Sequence, residues 1–359
     1  MSFGNNIPLI GTDKIKLMLK NASMRLEQKI GSIDIKTLEI DERYAERYLL
    51  PRIRNREYWL SKYEQHLFWA LSLDPIKGIP LNRLRLIDHG AGTGFLGLLA
   101  KEVGIGEVIC NDIDEKFLQL TREIGRAIGV SHDHYILSDY GGLIAYLRKN
   151  MQAPTLFVSA DVLEHIYDID GFLNCLSSLS HESIGVVMSS GANYLNIKYL
   201  VNVIPKQIKE EKKWRLLRKN IILDVVPAIE HSDLEYLIKR TRGLMKDEIE
   251  ILCANWAGDG EVYRKKKRAN DFDPYGTNTC DPMNGWWAEH FLNPSVLVTI
   301  LREAGFDSNI IFGEYNTHHK SAGKRFLAKT INRTINTIGN CALPFASYYA
   351  MVASKNGRQ

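Results

Sequence analysis

The sequence predicts an α/β chain with a doubly wound, mostly parallel sheet, and three observations carry that expectation. From Leu81 onward, short apolar runs alternate with helical stretches, and alternating strands and helices build a parallel sheet covered on both faces. A glycine-rich turn, Asp88 to Gly97, joins the first apolar run to the first of those helices. The alternation is interrupted once, over about 194–289, and then resumes. Seven strands are therefore expected, with an N-terminal helical segment and a large helical insertion after the fifth strand.

The elements follow in order. Residues 1–80 read as helical; within Arg43–Leu73 the aromatic residues Tyr44, Tyr48, Tyr58, Trp59, Tyr63, Phe68 and Trp69 recur among apolar residues at helical spacing, a pattern that usually packs into a core. Asp74–Pro75 and Gly78–Ile79–Pro80 break the helix. Strands are expected at Leu84–Ile87, Val108–Asn111, Tyr135–Leu137, Leu156–Ser159 and Ile184–Ser189, with helices such as Phe95–Val103 and Glu115–Ile128 between them. The insertion holds a basic amphipathic stretch, Lys206–Lys219, a second helical stretch, Ser232–Met245, and a run basic at every position, Arg264–Arg268; such a run most often marks a solvated face. Asn293–Pro294 starts a further helix that ends at Ala304, with Gly305 as its cap. Ser308–Phe312 and Ser347–Ala353 are the last two strands, and His318–Leu343 between them is basic and amphipathic. The divisions are thus 1–80, 81–193, 194–290 for the insertion, and 291–359.

Composition narrows the function classes. With 359 residues, 45% hydrophobic and 25% charged, the chain has the make-up of a globular protein. A net charge of +4 is small for a general nucleic-acid binder: DNA is not expected as a partner, and RNA is disfavoured. The five cysteines are scattered and form no C-x-x-C pair, which argues against a disulfide framework or zinc ribbon and for a reducing cytoplasm. Met1 to Lys20 lacks the pattern of a signal peptide, and no window approaches the ~18 apolar residues of a membrane span. A cytoplasmic protein without a transmembrane segment is the expectation.

The glycine turn carries the functional reading. Gly92-x-Gly94-x-x-Gly97 formally fits a dinucleotide fingerprint, but that fingerprint begins almost at the strand end, and here Asp88, His89, Gly90 and Ala91 intervene. The register that does begin there is Asp88-x-Gly90-x-Gly92-x-Gly94. Glycines allow positive φ and let a ligand lie against the backbone, beside the free N–H groups of the following helix.

This segment resembles the class I S-adenosylmethionine-dependent methyltransferases. The resemblance implies a Rossmann-like fold, S-adenosylmethionine as cofactor, and Asp88, Gly90, Gly92 and Gly94 around its methionine end. Asp88 would accept from the amino group of a cofactor that has no phosphate to cradle. Val108-Ile-Cys-Asn-Asp112-Ile113-Asp114 continues the match: Asp112, 18 residues after Gly94, is positioned to accept both ribose hydroxyls, with Ile113 beside it. Ser138-Asp139-Tyr140 resembles the segment that reaches the adenine. Phe157-Val-Ser-Ala-Asp161-Val-Leu-Glu164-His165 resembles the post-strand motif of methyltransferases acting on small molecules, the ubiquinone O-methyltransferase group among them, and adds Asp161 to the cofactor set. The likeness covers about residues 81–193 and 286–355. It departs from the pattern at His89, where the family tends to have a small or apolar residue.

The candidate catalytic residues are His165, near the cofactor by its position in the motif, and His290 in Trp286-Trp287-Ala-Glu-His290, where the insertion returns to the core. A base is needed only if the acceptor is a hydroxyl or another proton-bearing group of high pKa. If the segment is helical, Asp161, Glu164 and His165 share one face. The resemblance then offers a Mg²⁺ or Mn²⁺ set completed by His290, but metal-free relatives share the Glu-His pair, and no metal is expected. The reaction expected is methyl transfer to a small-molecule, sugar or lipid-linked acceptor, most readily to oxygen. The alternatives are an RNA methyltransferase, favoured by the basic stretches, and a non-catalytic adenosyl-ligand-binding protein, disfavoured by the intact Asp88, glycine turn and Asp112. The insertion is expected to cover the carboxyl end of the sheet, with Trp286, Trp287 and His290 facing the acceptor.

Overall fold

The computed structural model describes residues 12–150, 155–179, 183–259, 269–315, 317 and 321–356. The basic run Arg264–Arg268 lies outside the described residues. The N-terminal segment gives α1 (Thr12–Gly31), two short helices, α2 (Glu42–Tyr44) and α3 (Leu50–Arg54), and α4 (Arg56–Ser72). The core follows as β1 (Arg85–His89), α5 (Phe95–Val103), β2 (Glu107–Asp112), α6 (Glu115–Ile128), β3 (His134–Leu137), α7 (Tyr140–Asn150), β4 (Leu156–Ala160), α8 (Ile169–Leu176) and β5 (Ile184–Ser190). The insertion contributes α9 (Ile197–Val225), α10 (His231–Arg240) and α11 (Lys246–Asp259); α12 (Pro294–Glu303), β6 (Asp307–Phe312), α13 (Ala322–Ile338) and β7 (Tyr349–Lys355) complete the order.

All seven expected strands are present, in one sheet of order β3-β2-β1-β4-β5-β7-β6. The first five pair in parallel, and β7 runs antiparallel between β5 and β6. This is a Rossmann-like sheet whose strand order reverses between β1 and β4, and ligands of such sheets lie outside the carboxyl ends of the strands at that reversal.

Local signals fix the helix ends. Asp114 caps α6 by accepting from the Lys116 N–H, and Asn293 caps α12 by accepting from Ser295, with Pro294 at its first position. Gly104 and Gly129 close α5 and α6 at positive φ. The N-terminal aromatic stripe does pack into the core: Tyr63, Leu67 and Trp69 of α4 join Leu19 and Leu26 of α1 and Leu98 and Leu99 of α5 in one apolar cluster. The opposite face of the sheet is covered by α7, α8 and α12. The insertion helices form an apolar cluster of their own, in which Ile221 and Ile222 of α9 meet Leu237 of α10 and Ile249 of α11. The basic stretch at Lys206–Lys219 belongs to a longer helix than expected: Asn196 caps it by accepting from the Tyr199 N–H, and it continues through Pro205. No helix among the described residues is long and apolar enough to cross a membrane.

Candidate functional site

The turn after β1 holds Gly90, Gly92 and Gly94 at φ of 66°, 56° and 71°. They do different work. A Cβ on Gly90 would come within 2.4 Å of Val162, and one on Gly94 within 2.3 Å of Thr121, so these two press against the fold. A Cβ on Gly92 would meet nothing within 4 Å. The loop is clamped at both ends and open in the middle, at the carboxyl end of β1.

Asp112 ends the neighbouring strand and reaches back to this opening. Its Oδ2 accepts from the Gly92 N–H (2.9 Å) and its Oδ1 from the Asp114 N–H (3.1 Å). Burial pushes its carboxyl pKa up, while these backbone donors favour the charged form. Ile113 beside it is 60% exposed, an apolar side chain left facing solvent next to a buried carboxylate. At the end of β3, Asp139 caps α7 through the Gly142 N–H (2.8 Å), and the Tyr140 ring packs edge-on to Phe172. The strand order β3-β2-β1 sets these three strand ends side by side.

Two residues of β1 are held within the fold beneath this opening. Asp88 is buried, its Oδ2 accepts from the Gly97 N–H (2.9 Å), and burial pushes its pKa up to about 7. Through Oδ2 it braces the first turn of α5 beneath the loop. His89 likewise belongs to the core. Its Nδ1 donates to Asn111 Oδ1 (2.6 Å) and its ring stacks on Phe172 at 5.4 Å, so the unusual residue leaves the open side of the loop unchanged.

The end of β4 supplies a second group. Asp161 sits at φ 59°, and its carboxylate takes both bonds (2.6 and 2.8 Å) from the Lys62 ammonium of α4. Burial alone would raise the Asp161 pKa; the Lys62 charge and hydrogen bond, with Arg52 and His66, bring it below the usual carboxylate range. The Lys62 ammonium also lies 4.5 Å from the Tyr348 ring centre. Asp161 and Glu164 do not share a helix, because only Leu163–His165 form a short 3₁₀ turn. The ligand atoms that converge are those of Glu164, His165 and Glu289, all within 4.8 Å of one another. Asp161 and His290 stand outside that group.

His165 Nδ1 lies 3.2 Å from the Trp287 carbonyl. A carbonyl can only accept, so Nδ1 carries a proton. The half-exposed Trp286 stacks on the ring at 4.9 Å. Glu289, at φ 60°, bonds the Lys206 ammonium (2.7 Å) and accepts from the Tyr199 hydroxyl (3.0 Å). Burial opposes its charge, but His165 and Lys206 hold its pKa below the ordinary value. Glu164 is fully buried, its Oε2 has no hydrogen-bond partner, and burial together with the Asp161 and Glu289 charges pushes its pKa up to about 8.

The His290 ring does not join this group, although its backbone N–H donates to the Glu164 carbonyl (3.1 Å). It is fully buried: Nε2 lies 3.0 Å from the Asn270 carbonyl, and the ring stacks on the equally buried Trp287 at 4.1 Å. Of the three residues expected to face an acceptor, only Trp286 is open. The tryptophan pair anchors the return of the insertion, as adjacent aromatics commonly do. His290→Ala is therefore expected to cost about 2–4 kcal/mol of stability through lost packing and hydrogen bonding, read from urea unfolding midpoints, with ligand affinity of the folded protein unchanged.

A cleft of about 380 Å³ opens beside this group, lined by Asn55 and Tyr58, by Asn196, Lys198, Tyr199 and Asn202 of α9, and by Tyr315 and Ser347. Tyr199 joins the two, since it lines the cleft and bonds Glu289. Lys62, Tyr199 and Glu289 were not legible from sequence as site residues. A lysine or tyrosine in a helix carries no local mark, and Glu289 stands beside a histidine, the stronger signal in sequence.

Among known proteins, no family model matches the chain. Curated relatives that it resembles include ribosomal protein L11 methyltransferases. The one from Hamiltonella defensa subsp. Acyrthosiphon pisum is 28% identical over 127 residues, 33% of this chain and 40% of that protein. The Yersinia pestis protein is 34% identical over 98 residues, 27% of this chain and 29% of its own length. The Serratia proteamaculans protein is 27% identical over 153 residues, 42% and 49% of the two chains. The chain thus spans less than half the length of these relatives. Among solved structures, an S-adenosylmethionine dependent methyltransferase from Mesorhizobium loti aligns with a TM-score of 0.38 at 12% identity, covering 77% of this chain and 94% of that one. The plantazolicin methyltransferase BpumL, solved with SAH, aligns with a TM-score of 0.38 at 12% identity, covering 96% and 99%.

Proposed function

We propose that the protein is an S-adenosylmethionine-dependent methyltransferase acting on a small-molecule, sugar or lipid-linked acceptor, most readily at oxygen. The observation that carries the reading is the glycine turn, clamped at Gly90 and Gly94 and open above Gly92, with the Asp112 carboxylate across it. These residues fit the cofactor: Gly92 leaves space for it against the backbone, Asp112 offers an acceptor to ribose hydroxyls, Ile113 gives the base an apolar surface, and Asp139 and Tyr140 border the same strand ends. When bound, the cofactor supplies an electrophilic methyl group on its sulfonium. Asp88 contributes from beneath, by holding the helix that follows the loop.

The acceptor would enter through the Tyr58–Tyr199–Tyr315 cleft toward Glu164, His165 and Glu289. A buried polar atom without a partner is costly, and the free Oε2 of Glu164 is where an acceptor's polar group would be bonded. His165, its tautomer fixed by the Trp287 carbonyl, holds a basic Nε2 for a hydroxyl proton, and Glu289 stabilises the imidazolium so formed. The bulk of the rate would come from alignment of acceptor and methyl in a shaped pocket. A protein acceptor, the kind named for the L11 relatives, is the second reading; the cleft's tyrosines and asparagines do not decide against a peptide side chain.

Titration calorimetry tests the cofactor. S-adenosylhomocysteine should bind and NAD should not, and Asp112→Ala should weaken the former by about 2–3 kcal/mol, two charge-assisted hydrogen bonds being lost. NAD binding without adenosylhomocysteine binding would sink the proposal. For the base, His165→Gln is expected to lower turnover by about 10²–10⁴-fold with adenosylhomocysteine affinity unchanged; equal turnover would remove His165 from the chemistry.

A further inference from the structure

α9, which lines the cleft, and α13, which bonds the cleft residue Tyr315, carry surfaces that methyl transfer does not use. α13 turns Ala328, Asn332 and Ile335 toward the protein. Its other side exposes Phe326 and Leu327, 74% and 58% open to solvent. Phe326, Lys329 and Arg333 stand at i, i+3 and i+7, hence along one line of the helix. The helix holds the cations Lys324, Arg325, Lys329 and Arg333 and no acidic residue. α9 offers the second surface. Ile197, Val201 and Ile208 are 75%, 64% and 48% exposed and recur at i, i+4 and i+11, again one line, with the exposed Lys198, Lys209 and Lys212 around them. The two helices are tied together at the cleft. Asn196 at the head of α9 donates to the Tyr315 hydroxyl (2.9 Å), and the Tyr315 backbone pairs with the Asn332 side chain of α13 (2.7 and 2.9 Å).

Single exposed apolar residues are ordinary on a soluble surface. A row of them on α9 and an adjacent pair on α13, each set among lysines and arginines and joined through the cleft residue Tyr315, are not explained that way. That composition matches a helix lying in a lipid headgroup layer, with apolar side chains in the acyl boundary and cations on anionic headgroups. A nucleic acid would use the cations, but bases stack on aromatic rings, and Leu327, Ile197, Val201 and Ile208 would be left without a partner.

We propose that the rim of the cleft docks on the surface of an anionic lipid bilayer, so that the cleft faces an acceptor held at that surface. The docking itself is independent of methyl transfer; only its bearing on the acceptor rests on the function proposed above.

Sedimentation of the full chain with vesicles tests it. The protein should pellet with an equal mixture of phosphatidylcholine and phosphatidylglycerol, far less with phosphatidylcholine alone, and less as salt is raised. Phe326→Ser with Leu327→Ser should lower partitioning about tenfold, as should Lys329→Glu with Arg333→Glu, while all these variants melt and bind adenosylhomocysteine as the parent does. No pelleting with the mixed vesicles, equal pelleting with both, or serine variants that partition like the parent would each overturn the proposal. So would a parent that ignores vesicles and binds polyuridine, which would make the surface one for RNA. Failure to bind adenosylhomocysteine, with vesicle binding intact, would strike the methyltransferase reading and leave the docking standing.

Discussion

Lys62→Ala is expected to remove about 3–5 kcal/mol of folding stability, the usual cost of stranding one member of a buried ion pair. The Lys62 side chain is only 4% exposed and its partner Asp161 27% exposed. Removing the ammonium leaves a carboxylate on a left-handed residue at the end of β4, facing the raised Glu164 carboxyl. Urea unfolding followed by circular dichroism measures the loss, and a change below about 1 kcal/mol, the range of an exposed pair, would mean that water reaches the pair freely. Lys62→Met, which keeps the stem but not the charge, should recover little. The same pair predicts a pH dependence. The Asp161 pKa is lower in the folded chain than in the unfolded one, so its stabilisation is present above the unfolded carboxylate value of about 3.9 and is lost as pH falls through the folded value. In Lys62→Ala that acid limb should flatten.

Gly92→Leu is expected to abolish adenosylhomocysteine binding while the protein still folds cooperatively. The backbone there is left-handed, so any side chain costs about 1–2 kcal/mol, a tolerable fraction of a domain's stability. The side chain itself would project into the opening that the proposed cofactor fills. Gly94→Leu makes the contrast: its Cβ would lie 2.3 Å from Thr121, so overpacking adds about 1–3 kcal/mol or more to the same backbone strain, and stability rather than binding should fail first. Thermal melts paired with calorimetry separate the two. A Gly92→Leu protein that binds normally would move the cofactor away from the loop.

Much of this fold was legible because its signals are local. Each strand is a short apolar run, and Phe95–Val103 and Glu115–Ile128 begin and end where glycines and Asp114 say they should. The glycine register was legible for the same reason: a turn that needs positive φ announces itself in composition. What could not be read was anything that depends on which side chain turns which way. Asp88, one residue before the end of β1, and Asp112, at the end of β2, are both buried, yet one accepts from Gly97 in α5 and the other from Gly92 in the loop. His290 and Glu289 are consecutive, yet the positive φ at Glu289 sends it to Tyr199 and Lys206 while the His290 ring packs inward. The Lys62–Asp161 pair joins residues 99 positions apart, and nothing near either of them in sequence points to the other.

The antiparallel strand between β5 and β6 has a consequence for how the chain reaches this structure. Ile184–Ser190 pairs with Tyr349–Lys355, across the whole insertion, α12, β6 and α13. During synthesis β5 and β6 are both made before the strand that joins them. Until β7 arrives, β5 presents an unsatisfied edge in the middle of the finished sheet, and β6 has no partner. Contacts of such long sequence separation form late and slowly, and an open apolar edge is a template for pairing with another chain. Nascent chains released before Tyr349 should therefore self-associate, and refolding from denaturant should have a yield that falls as protein concentration rises. Ser347 and Tyr348, which sit at the cleft and over the Lys62 ammonium, arrive with the same strand, so the cleft closes only when the sheet does.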